Sequence, residues 1–242
     1  QINAIRALWP SDSSQVDFSS FLMFGFMNLC YGITTILPPM DFTKVGEVDE
    51  VRSLELIKKY KVTRLSGSGA FLSKISGFMV KNDLSVETIL NTAQGGSPVT
   101  EEFCLNMKKA FPQARNLVVY GSTEVAPISV CEMDKLLHAK KEGALVGLPL
   151  ESLTVKIVKL PEIISEFKPG EVLTFEVPQG EWGEIIIRGP HVVKGYVDNK
   201  EATLKNKIKD FDGEVWHRTG DAGHFDSENQ LWITGRMSEL VE

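Results

Sequence analysis

Cysteine and histidine are scarce in this chain. Three cysteines (Cys30, Cys104, Cys131) and four histidines (His138, His191, His217, His224) occur in 242 residues. The cysteines are odd in number and far apart, which excludes the disulfide framework of a small secreted domain and leaves reduced, buried thiols of a cytoplasmic protein. Neither residue type recurs at metal-ligand spacing. Positive charge is also in deficit, with 26 Lys and Arg against 32 Asp and Glu and a net charge of −6. With no basic run, nucleic acid is excluded as a main partner. Repeats and low-complexity tracts are absent. The longest charge-free stretch, residues 18–40, approaches the length of about 20 residues that spans a bilayer. Ser19, Ser20, Asn28, Thr34 and Thr35 interrupt it, and its flanks are Asp17 and Asp41 rather than Lys or Arg. It reads as a buried helix and a core strand (34–37) closed by Pro38-Pro39, with no transmembrane segment.

What is present has the organisation of a globular protein, long enough for one large or two medium domains. Val51, Leu54 and Ile57 recur through a charged stretch, as in an amphipathic helix. Residues 61–65 read as a strand ending in the turn Ser66-Gly67-Ser68-Gly69, and 71–80 as a helix. That turn lacks the lysine and the spacing of a phosphate loop. Thr92 and Ala93 enter a Gly95-Gly96-Ser97 turn, and Thr100 caps a helix with Phe103, Met107 and Ala110 on one face. A strand over 116–120 follows. Later, Leu153, Val155 and Ile157 alternate with polar residues, the pattern of a half-buried strand. Short strands are expected over 172–177, 184–188, 217–219 and 231–234, punctuated by Lys168-Pro169-Gly170 and Asp212-Gly213. Trp182, Trp216 and Trp232 are expected to fill that region's core or line its edge. The expected fold class is α/β: an α/β subdomain over 1–142 with a mostly parallel sheet, then a small β-rich, barrel-like subdomain over 143–242.

Two segments carry chemistry. Leu117-Val118-Val119 reads as a buried strand, and Tyr120-Gly121-Ser122-Thr123-Glu124 follows it. A glycine there permits a tight turn, leaving hydroxyls and a carboxylate at the strand's carboxyl end, where open α/β sheets place ligands. The hydroxyls suit a phosphate, and the carboxylate suits Mg²⁺. Downstream, Trp216-His217-Arg218-Thr219-Gly220-Asp221 ends in an acid whose two oxygens suit the hydroxyls of a ribose. Each segment alone is weak evidence, since a helix start favours Ser, Thr and Glu and many turns hold an acid. Together they sketch a nucleotide site.

These segments, with Gly235-Arg236, resemble in order three signatures of the adenylate-forming superfamily of acyl-CoA synthetases, luciferase and peptide-synthetase adenylation domains. Gly183-Glu184-Ile185-Ile186-Ile187-Arg188-Gly189-Pro190 and Gly195-Tyr196 resemble its "GE…GY" segment, and Gly95-Gly96-Ser97-Pro98-Val99 its "GGAP" turn. The resemblance runs from about Phe18 to the end. It implies part of the large N-terminal domain of an ATP-dependent enzyme that joins a carboxylate to AMP, with Mg²⁺ as cofactor and CoA as co-substrate. The family's Ser/Thr/Gly-rich phosphate loop is expected before Gln1, and its lysine-bearing C-terminal domain after Glu242. The chain, which has no initiator Met, therefore reads as a fragment that is inactive alone.

By the same resemblance Thr123, in contact with phosphate, and Glu124, which binds Mg²⁺, are the catalytic residues; Tyr120 stacks on or flanks the adenine, and Gly121 and Ser122 are also cofactor-binding. Gly95, Gly96 and Ser97 approach the base, while Asp221 and Arg236 hold ribose or phosphate. The charge-free stretch 18–35 and the small residues at 66–69 suggest an apolar, roomy pocket and so a long acyl chain as substrate. Ser238, where many relatives have Asp or Lys, and the local sequences around 121–127, 201–203 and 215–218 look most like the branch that closes 3-hydroxy fatty acids to β-lactones. The expected function is thus a cytoplasmic long-chain fatty acid–CoA ligase working on small molecules. The alternatives are a β-lactone synthetase and a non-catalytic nucleotide-binding module.

Overall fold

The computed structural model describes residues 1–8, 12–44, 46–139, 143–160 and 167–239. Two compact units emerge: Ile2–Val119 with Cys131–Ala139, and Gln1, Tyr120–Val130 and the described part of Lys140–Glu242.

The first unit alternates helix and strand: α1 (Ile2–Arg6), β1 (Val16–Ser19), α2 (Leu22–Leu29), β2 (Thr34–Ile36), α3 (Glu50–Lys59), β3 (Arg64–Ser68), α4 (Gly69–Lys81), β4 (Asn91–Gly95), α5 (Glu101–Ala110) and β5 (Arg115–Ser122). The strands lie in the order β2-β1-β3-β4-β5, every pair parallel. Side-chain caps start three helices: Asp49 accepts from the Arg52 N–H, Ser68 from Phe71 and Thr100 from Phe103. Helix α4 turns Phe71, Leu72, Ile75 and Met79 into the core, and α5 contributes Phe103, Met107 and Ala110. Phe71 stacks on Phe18 of β1 with centroids 6.1 Å apart.

Several expectations differ from the structure here. Ser66-Gly67-Ser68 is the second half of β3, not a turn; Ser66 pairs with Ser19 and Ala93 in the two neighbouring strands. Lys61, at φ 49°, instead makes the turn before the strand. The expected buried helix is α2, and of its residues only Asn28 is buried, while Phe26 and Leu29 are exposed. Its companion β2 is an edge strand. Cys104 and Cys131 are buried as expected, but Cys30 is exposed.

The second unit begins with the end of β5 and with β6 (Val125–Glu132), whose last residues return to the first unit and lead to α6 (Met133–Leu136). Then come β7 (Ala144–Pro149), β8 (Thr154–Val158), β9 (Gly183–Arg188), α7 (Lys200–Asn206), β10 (Lys207–Lys209), β11 (Val215–Phe225) and β12 (Leu231–Arg236). The order is β6-β7-β12-β11-β9-β8 with β10 beside β11, and the pairings are antiparallel. Strand β9 is buried on both faces. Ile185 and Ile187 join Val125, Ile128 and Leu231, whereas Ile186 packs with Trp216 and Val172. That explains why Ile185-Ile186-Ile187 is a continuous apolar run rather than an alternation.

The strand expected over 172–177 is a 3-10 turn, Glu171–Phe175. Gly170 adopts φ +75° and its carbonyl accepts from the Leu173 N–H, so the preceding turn continues instead of extending. Trp216 and Trp232 are buried as expected, while Trp182 is half exposed. Among the described residues no helix is long and apolar enough to cross a membrane.

Candidate active site

In the second unit, β5 ends at Tyr120-Gly121-Ser122, Thr123 and Glu124 form a tight turn, and β6 departs at Val125. The turn leads into a strand, not a helix. Gly121 is needed for space rather than for a left-handed backbone. A Cβ there would sit 3.0 Å from the Val125 carbonyl oxygen and 3.2 Å from Ala126 Cα. Thr123 is exposed, and its carbonyl accepts from Gln1 Nε2 at 3.0 Å.

Glu124 is partly buried. Its Oε1 accepts the Tyr196 hydroxyl at 2.7 Å, and its backbone carbonyl accepts from the Val193 N–H at 2.8 Å. Burial alone would raise the carboxyl's pKa. The Tyr196 bond and its own N–H outweigh that and hold it below the ordinary carboxylate value, so Glu124 is an anion at neutral pH. Ser122 Oγ is buried without a hydrogen bond of normal geometry, yet near enough to help lower Glu124.

The Asp221 segment is built differently. Gly220, at φ +70°, lies in the bulge that interrupts the β11–β9 ladder between Arg218 and Ala222, while Asp221 keeps its pairing on the β12 side. Arg218 ties the bulge to β9 through three contacts with Glu184, Nε to Oε1 at 3.1 Å, Nε to Oε2 at 3.0 Å and Nη2 to Oε2 at 2.6 Å. Thr219 Oγ1 donates to the Ile185 carbonyl at 2.8 Å and accepts the Asp221 N–H at 3.0 Å. Asp221 then receives two donors, the Tyr120 hydroxyl on Oδ2 and Arg236 Nη1 on Oδ1, both at 2.6 Å. Arg236 faces Asp221 across the β11–β12 ladder. Burial, and then the Asp221 charge, push the Tyr120 hydroxyl well above its usual pKa, so it stays a donor. An ionised carboxylate has about four lone-pair sites, which leaves Asp221 free to accept two more hydroxyls.

Tyr120, Asp221 and Arg236 are thus one hydrogen-bonded set, with Glu124 and Tyr196 a second pair in the same unit. Gly95, Gly96 and Ser97 belong to the first unit, at the end of β4. Gly96 has φ +83°, and a Cβ on Gly95 would meet the Val119 carbonyl at 3.2 Å. Gln94, which the sequence did not mark, braces this turn. It is fully buried, and its Nε2 donates to the Ser97 carbonyl at 2.8 Å and lies 3.2 Å from Ser97 Oγ and from the Gly95 carbonyl.

Two more residues near Glu124 escaped the sequence. His217 is buried, and burial together with the charge of Lys207 lowers its pKa to about 4, so it is neutral. Lys207, its pairing partner on β10, is buried too, and burial lowers its ammonium to about 8. Its place between Lys205 and Lys209 gives the look of a solvated face, so no sequence signal could have found it.

Against known proteins, residues 16–197 match the AMP-binding enzyme family. The chain belongs to that family. Over its whole length it is 29% identical to an olefin beta-lactone synthetase of Stenotrophomonas maltophilia, of which it spans 44%. It is 33% identical to 4-coumarate–CoA ligase 1 of Petroselinum crispum over 88% of this chain and 36% of that one. The fold matches O-succinylbenzoate coenzyme A synthetase of Bacillus subtilis in complex with AMP (TM-score 0.74, 20% identity, 99% of this chain and 45% of that one). It also matches a long-chain-fatty-acid–CoA ligase of Archaeoglobus fulgidus (TM-score 0.72, 21% identity, 97% and 46%). The α/β layer followed by a small antiparallel unit is therefore the fold of adenylate-forming enzymes, and the chain spans less than half the length of these relatives.

Among the described residues no three His, Cys, Asp or Glu side chains cluster as a metal cage. One ionised carboxylate, Glu124, beside an unpartnered hydroxyl suits a hard cation that keeps its waters and takes its other ligands from substrate phosphates. The residues fit Mg²⁺ in that mode.

Proposed function

We propose that this chain is the nucleotide-binding part of an ATP-dependent ligase that joins a long-chain fatty acid to AMP and passes the acyl group to CoA. The observation that carries the reading is Asp221, presented by a left-handed glycine and fixed by Tyr120 and Arg236 with acceptor capacity to spare. Such a carboxylate suits the two hydroxyls of a ribose, and a tyrosine beside it suits the adenine.

In this reading the acid's carboxylate oxygen attacks the α-phosphorus and pyrophosphate leaves. The protein's part is to hold both reactants and to stabilise charge that develops on phosphorus. Asp221 and Arg236 would fix the ribose end. The hydroxyls of Ser122 and Thr123 donate to phosphate. Glu124 would hold Mg²⁺, which when bound offsets phosphate charge. Phe21, in edge-to-face contact with Phe24 at 5.4 Å, lies 3.9 Å from where a Gly95 Cβ would stand. That puts an apolar wall beside the Gly95–Ser97 turn, as an aliphatic acid needs. The proposed location is the cytoplasm.

A second reading, closure of a 3-hydroxy fatty acid to a β-lactone, draws on the full-length likeness to the Stenotrophomonas synthetase and on Ser238 after Arg236. Matched long-chain acids with and without a 3-hydroxyl, given to the complete natural chain with ATP and CoA, separate the two by mass spectrometry. The plain acid should give acyl-CoA. A β-lactone from the hydroxy acid, with no acyl-CoA, would establish the second reading. Absence of ATP–pyrophosphate exchange with every acid would leave a nucleotide-binding module without chemistry.

A further inference from the structure

Lys207 is unusual for a lysine. It is 6% exposed, and its Nζ has no hydrogen-bond acceptor among the described residues. A buried ammonium without an acceptor is costly, so the fold must gain from keeping it there. The Glu124 charge attracts the ammonium, which also meets an aromatic ring: Nζ stands 5.5 Å from the centroid of the Tyr196 ring. That lies within the roughly 6 Å over which a cation is drawn to a ring face. The hydroxyl at the far end of this ring is the donor that Glu124 accepts at 2.7 Å. Across the β10–β11 pairing sits His217, whose Nδ1 is 3.3 Å from the Asn206 carbonyl, a neutral neighbour that adds no competing charge.

Resting on the metal-binding role given to Glu124, we propose that Lys207 is a positioning residue. Its ammonium seats the Tyr196 ring, and the ring's hydroxyl in turn fixes the Glu124 carboxylate in one orientation. Beside the direct attraction between the two charges, cation, ring and carboxylate form a relay in which the phenol is the middle member. Lys207 touches no substrate in this arrangement. Its loss acts on Glu124 through Tyr196 as well as through charge, and the response of the ring sets it apart from a lysine that simply fills space.

The test is a double-mutant cycle on the complete natural chain, with Mn²⁺ binding in the presence of ATP as the first readout and the ¹³C resonance of labelled Tyr196 as the second. Lys207→Met keeps the stem and removes the cation. Tyr196→Phe removes the hydroxyl and assigns the resonance. Each should weaken Mn²⁺ binding by about 3- to 30-fold, the range of a desolvated cation–π contact. The double variant should be no weaker than the worse single one, because the relay is broken once. Lys207→Met should move the Tyr196 resonance and leave that of Tyr120 in place, and Lys207→Arg should restore both readouts. Additive losses, or an unmoved Tyr196 resonance in Lys207→Met, would overturn the proposal. If Glu124→Gln binds Mn²⁺ as well as wild type, the metal role fails, and the Tyr196 resonance still decides whether Lys207 seats the ring. Should Lys207→Met not fold, the same resonance in Lys207→Arg and Lys207→Gln decides: a shift confined to the neutral variant supports the relay, and equal shifts in both overturn it.

Discussion

Two acids in one unit are asked to do different things, and their surroundings say which does what. Asp221 already holds two donors, and in the proposed function it would grip the ribose equally in ground and transition states. Asp221→Asn in the complete natural chain should therefore raise the KM for ATP by about tenfold with little change in kcat, as loss of a uniform binding contact does. In the proposed function Glu124 is the residue that would meet developing charge, and Glu124→Gln should lower the rate of adenylation by on the order of 10²-fold, the size of a lost electrostatic stabiliser. Pyrophosphate exchange measures both, and equal effects on KM and kcat in the two variants would show that the roles are not separate.

His217 gives a pH prediction. Its folded pKa, about 4, is below its usual 6.5. The unfolded chain therefore binds a proton first as pH falls, and the stability tied to neutral His217 is present above about 6.5 and lost on the way down to 4. In urea titrations the stability advantage of wild type over His217→Gln should shrink across that window by up to roughly 3 kcal/mol. A difference that stays constant from pH 7 to 4 would mean the ring is not buried neutral.

At the scale of elements, what the sequence made legible was whatever rests on local rules. The cap at Thr100, the helices α3 to α5 and the glycine before Asp221 follow from residue types and spacing. What it hid depends on which surface a face meets. A charge-free run looks the same whether it lies inside or out, so α2 was read as core, yet Phe26 is 71% exposed. Lys207 and Gln94 were hidden for the converse reason, since polar residues are assigned to solvent by default. Strand β3 starts three residues late because the turn before it uses Lys61, which no turn rule favours.

The contrast between helices is measurable. Met107→Ala in α5, where the side chain is fully buried, should cost about 2–5 kcal/mol by removing buried methylenes and leaving a cavity. Phe26→Ser in α2 should cost no more than about 0.5 kcal/mol, as for a surface change away from special features. Denaturant midpoints at constant slope would compare them. A large loss at Phe26 would show that this face is covered in solution.

For the whole molecule, charge is the governing property. The formal net charge of −6 and a pI near 5.4 give a chain that repels its copies at neutral pH and loses that protection on mild acidification. Solubility should be lowest near pH 5.4, inside the window where His217 begins to withdraw its stability. Turbidity scanned from pH 8 to 4 checks this; a minimum displaced by more than about one pH unit would point to strongly shifted groups beyond those described.

The link between Arg218 and Glu184 has a consequence for genetics. Glu184 is 2% exposed and lies on β9, yet it grips the bulge that presents Asp221. Breaking such a buried pair leaves an uncompensated charge and slackens the backbone of residues 218–221. In a saturation screen scored by growth, alleles of codon 184 would fall in the same phenotypic class as alleles of codon 221. Tolerated changes at 184 would be found mainly alongside a second change at 218.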